Sequence, residues 1–90
     1  MARDELQRTA ESIEQAADAT SDDEVRDRLQ TQAAKFEDYA TADHGPDHGQ
    51  LARHEHILNE IADDEGGDVA SNLEDALASI SEFRSDLEGV

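Results

Sequence analysis

Apolar residues recur along the chain at spacings of three and four, and no stretch alternates with period two beside β-branched residues. Spacings of three and four mark one face of a helix, whereas period two would mark a strand, so every element reads as helical. Leu6, Ala10, Ile13 and Ala17 form a first stripe and predict a helix from Ala2 to Ala19. Val25, Leu29, Ala33, Phe36 and Tyr39 form a second, over Asp22 to Ala40. Leu51, His54, Leu58 and Ile61, flanked by Ile57, form a third, over Asp47 to Asp63. The fourth stripe, over Asp68 to Leu87, holds Val69, Leu73, Ala76, Leu77, Ile80, Phe83 and Leu87 and is the strongest a/d pattern in the chain.

Helix phase decides whether the first two stripes share one rod. At about 100° per residue their centres lie roughly 110° apart, so a straight helix would split its apolar surface. A break near Thr20 is therefore expected, and Ser21 followed by Glu24 reads as a capping box for the second helix. Gly45, Pro46, Gly49, Gly66, Gly67 and Gly89 supply the other punctuation. Ser71 to Glu74 forms a second capping-box pattern, which would start the fourth helix later. Short connections between amphipathic helices predict an all-α fold, a small antiparallel four-helix bundle made of two helical hairpins. The expected single domain spans residues 1–90, with hairpins over 1–41 and 50–90 and a turn over 42–49.

Charge changes the picture next. Twenty-four acids face seven bases, for a formal net charge of -17, and Lys35 is the only lysine. Aromatic residues are few and cysteine is absent, which excludes disulfide staples and thiol chemistry. Three readings compete: disorder, the cytoplasm of a salt-accumulating halophile, and an acidic mimic of nucleic acid that binds a basic protein. The regular stripes oppose disorder. Screening favours the halophile, because the Debye length falls to about 3 Å at molar salt. The acids surround every predicted helix rather than lining one face, which weakens the mimic. No basic stripe exists for direct binding to DNA or RNA. No apolar run is long enough for a membrane span, and the charged start, MARDELQRTAESIEQ, does not read as a signal peptide.

Candidate chemistry is confined to one stretch. All four histidines lie between residues 44 and 56, around the repeat Asp43-His44-Gly45-Pro46-Asp47-His48-Gly49. His44 and His48 are four apart and could share a face if the turn were helical. With Asp47 and His54 they make a candidate site for a divalent transition metal such as zinc, nickel or copper. The competing reading is structural. Asp47 with Gln50 makes an Asp/Gln capping box, and Pro46 suits the first helical position. His54 sits inside an apolar stripe, where a hydrogen bond to the Tyr39 hydroxyl would satisfy it. His56, about 200° away around the helix, faces solvent. Arg53 and Arg84 are the only bases in the second half. Both are expected to pair with carboxylates, or alternatively to hold an anionic ligand.

No nucleophile with a positioned base, no phosphate loop and no HExxH spacing occurs, so a non-enzyme without a cofactor is expected. The segment Gly45-Pro46-Asp47-His48-Gly49-Gln50-Leu51-Ala52-Arg53-His54 and the ending Phe83-Arg84-Ser85-Asp86-Leu87-Glu88-Gly89-Val90 resemble a family of short, acidic, uncharacterised haloarchaeal proteins. The resemblance implies a cytoplasmic protein of unknown function and supplies no catalytic residues. The thin core and the long fourth stripe suggest a helical interaction or regulatory module. It would act on a protein partner or as a homodimer, through Val69, Leu73, Leu77, Ile80, Phe83 and Leu87. Metal binding or sensing through the histidines is the alternative.

Overall fold

The computed structural model describes residues 2–88. Gly89, expected as punctuation, and Val90 lie outside them. Four helices follow in order: α1 (Ala2–Ala19), α2 (Asp23–Thr41), α3 (His48–Glu65) and α4 (Gly67–Glu88). No strand occurs among the described residues. The α1 helix packs along both α2 and α4, and α3 packs along α4. Thr20 at the end of α1 meets Glu65 at the end of α3, while Arg8 near the start of α1 meets Glu82 near the end of α4. These ends fix an up-down-up-down bundle of two hairpins, joined by docking α1 on α4.

Each stripe turns inward, because that is the only way four one-sided helices bury their apolar faces. Leu6, Ile13, Leu29, Phe36, Leu51, Leu58, Ile61, Leu73 and Ile80 are fully buried in one cluster. The long stripe of α4, expected to form an interface, is part of this core. Val69, Leu73, Ile80 and Phe83 are buried within the chain, Leu77 is partly buried, and only Leu87 is exposed. Periodicity reports that a face is covered, not whether its own chain or another covers it.

The breaks fall where expected, with different caps. Thr20 ends α1 and is itself buried. Its hydroxyl donates to Glu65 Oε1 at 2.6 Å and accepts the Asp22 N–H at 3.1 Å. The N-cap of α2 is Asp22, whose side chain accepts the Val25 N–H, and not Ser21. The α4 helix runs straight through Ser71, so that second capping pattern starts nothing. Between α3 and α4, Gly66 and Gly67 take φ of 64° and 54°, a left-handed region that glycine enters without steric cost.

Candidate functional site

The DHGPDHG repeat is a helix entry. Asp47, with extended backbone, caps α3: its carboxylate accepts the Gln50 N–H at 2.8 Å, and Gln50 Oε1 accepts the Asp47 N–H at 3.0 Å. The capping box read from the sequence is present. Pro46 stands before the cap rather than at the first helical position, and it is buried. It closes the end of the bundle beside Leu6, Tyr39, Phe83 and Leu87. The helix therefore starts at His48, one residue after the expected Asp47.

Burial and bonding separate the four proposed metal ligands. His44 is exposed on the turn. His48 Nδ1 accepts from Arg84 Nε at 3.2 Å. Asp47 is engaged as the cap. His54 is buried with both ring nitrogens bonded inside the protein. Among the described residues, no group of three or more His, Cys, Asp or Glu side chains converges to hold a metal. His56 faces solvent and lies 3.0 Å from Glu60, one turn on.

The bonds of His54 define its chemistry. The Tyr39 hydroxyl, the partner suggested from the sequence, lies 2.8 Å from Nε2. The second partner, Gln32, was not anticipated: its Oε1 accepts from Nδ1. Gln32 is 8% exposed, between Leu29 and Phe36 at spacings of three and four. That spacing was the available signal, masked because glutamine is usually a surface residue. Because Oε1 can only accept, Nδ1 carries the proton, and Nε2 of the neutral ring accepts from the Tyr39 O–H. Phe36 packs against both rings, with centroids 5.4 Å from Tyr39 and 4.9 Å from His54. Burial lowers the His54 pKa from its ordinary value, and the charges of Lys35 and Arg53 lower it further. Burial, with the nearby Asp47 carboxylate, raises that of Tyr39.

Tyr39 and His54 both line a cleft of about 400 Å³ between α2 and α3. Lys35 lines it from α2, Asp47, Gly49 and Gln50 from the start of α3, and Arg53 from the next turn. Arg8, Arg26 and Arg84 all lie beside carboxylates, at Glu82, Asp23 and Glu55. Arg84 thus follows the expectation of pairing, and Arg53 departs from it. Arg28, Lys35 and Arg53 have no carboxylate within 4.0 Å among the described residues, and of these only Lys35 and Arg53 line this cleft. The sequence marked Arg53 as a possible anion holder. It gave no hint of Lys35, which is 18 positions away and shares a cleft with Arg53 only through the bundle.

A second cleft, between α1 and α2, has the opposite character. Glu14, Asp18 and Glu37 line about 260 Å³ there. The Glu14 pKa is raised, first by the hydrogen bond with Glu37 and then by burial and neighbouring acids. The α2–α3 cleft is thus lined by two bases and one acid, the α1–α2 cleft by three acids and no base.

No helix among the described residues is long and apolar enough to cross a membrane. No curated protein and no solved structure matches the chain. A sequence-family model matches residues 1–86, which hold both clefts and all but the last two residues of α4: the chain belongs to a family of unknown function (DUF7553).

Proposed function

We propose that the protein is a non-enzymatic regulatory or interaction module of a salt-accumulating cytoplasm, and that it takes a small oxyanion, carboxylate or phosphate in type, in the cleft between α2 and α3. One observation carries the reading. In a chain of 24 acids and seven bases, Lys35 and Arg53 stand without carboxylate partners on one cleft, over a buried polar chain. Cations on an acidic protein gain by pairing, so two left open toward the same space favour an external anion. The volume lies within the range of small-ligand sites, about 300–1,000 Å³. The non-enzymatic part is supported by His54, whose two nitrogens are occupied, so the cleft presents no free base beside a nucleophile. A halophile setting is supported by the net charge of -17, which demands screening.

Nitrogen-15 NMR of untagged protein in molar KCl tests the site. Acetate and phosphate are expected to shift the amide signals of Lys35, Tyr39, Gly49, Gln50 and Arg53. The Lys35→Ala/Arg53→Ala double variant is expected to lose those shifts. Shifts that persist in the double variant, or none in the wild type, would overturn the reading.

A further inference from the structure

We infer that the cleft takes up its anion together with a proton, and that the Tyr39–His54 pair couples the two events. This rests on the cleft being an anion site. In the neutral arrangement the single hydroxyl hydrogen of Tyr39 is spent inside the protein, on His54 Nε2. What Tyr39 then offers the cleft is oxygen lone pairs, which repel an anion. A proton from solvent on Nε2 reverses that bond. The imidazolium Nε2–H donates to the Tyr39 oxygen, and the hydroxyl hydrogen is released toward the cleft. Nδ1–H keeps its bond to Gln32 throughout. One N–H bond forms, no other covalent bond changes, and nothing is oxidised or reduced.

The surrounding charges set the sign of the coupling. Lys35 from α2 and Arg53 from α3 both oppose a positive ring at residue 54. Asp47, at the start of α3, acts on Tyr39. Among the described residues, α1 and α4 bring no charged side chain to bear on the ring. An anion seated between Lys35 and Arg53 cancels their opposition and receives the freed hydroxyl. It therefore makes His54 easier to protonate. By linkage, protonating His54 tightens the anion to the same degree.

Sulfate is the suitable probe, because it does not titrate between pH 5 and 8 and any proton taken up belongs to the protein. Calorimetric titration of the full chain in buffers of different ionisation heat measures that uptake, while NMR follows the ring nitrogens of His54. Sulfate affinity is expected to rise as pH falls through the titration of His54, by up to about tenfold per pH unit. The His54 titration should move to higher pH in sulfate. His54→Gln and the more conservative Tyr39→Phe are expected to flatten the affinity profile. Sulfate binding that depends on Lys35 and Arg53 but is flat with pH would overturn the coupling and leave the anion site standing. Proton uptake that survives in His54→Gln would also overturn the coupling. An affinity unchanged by removing Lys35 and Arg53 would overturn both.

Discussion

At His54, the folded ring holds its proton less tightly than the unfolded ring, chiefly because burial disfavours the charge. Stability from this residue is therefore complete above the ordinary value of 6.5, falls as pH drops from there toward the lowered folded value, and levels below it. A wild-type melting curve that loses stability in this window, beside a His54→Gln variant that does not, is the expected result. Gln32→Ala leaves Nδ1–H unpaired in the interior, and a loss of about 1–3 kcal/mol is expected by denaturant unfolding. Glu5 has the opposite sign. It is 7% exposed, with Oε2 buried and unbonded. Burial, then Asp86 beside it, raises its pKa above 4.5. Its contribution is greatest in acid and is lost as pH rises through the raised value, so at pH 7 it weakens the bundle. Glu5→Gln, which mimics the protonated form, is expected to gain about 1 kcal/mol at pH 7. That amounts to about 4–8 °C in melting temperature for a domain of this size, and the gain should vanish at low pH.

Helices carry the next layer, and their ends account for most of the motif that first looked like a site. Asp47→Ala removes the α3 cap and is expected to cost about 1 kcal/mol, read as a lower midpoint in denaturant with an unchanged slope. Here the sequence was legible: a capping box needs only residue types at fixed offsets, and Asp47 and Gln50 stand at them. Ser21 with Glu24 has the same offsets and was misread, because Asp22 offers an equally good oxygen one residue closer to the helix. Pattern alone cannot choose between adjacent caps when both are favoured types. The α4 stripe was legible as buried but not as to what buries it. Leu73 and Ile80 are fully buried within the chain, while Leu77 is partly buried and Leu87 exposed.

For the whole molecule, repulsion dominates. Arg8 and Glu82 form an exposed pair at 3.6 Å, a kind worth little, and Glu14 meets Glu37 across α1 and α2. A net charge of -17 on ninety residues therefore opposes a thin core. Helicity by circular dichroism should be incomplete at low ionic strength and should rise toward molar KCl as the Debye length shortens to about 3 Å. Full helicity in dilute buffer would contradict this. The same field makes the Lys35–Arg53 cleft an exception on the surface, and salt should weaken any anion held there while it strengthens the fold.

Helix number, inward faces, the break at Thr20, the Asp47 cap and the inward placement of His54 followed from the sequence alone. Each depends on residues close in the chain or on the simple phase of a helix. The packing of α1 on α4, the role of Gln32, the burial of the α4 stripe within the chain and the shared cleft of Lys35 and Arg53 were decided only by the tertiary structure. Each joins residues on different helices, and periodicity tells which face of a helix is covered without naming its neighbour. The histidine cluster shows the difference most clearly. Four histidines close in sequence are sent to the turn, the helix start, the core and the solvent: α3 begins only at His48, and His54 and His56, two apart on that helix, point about 200° apart.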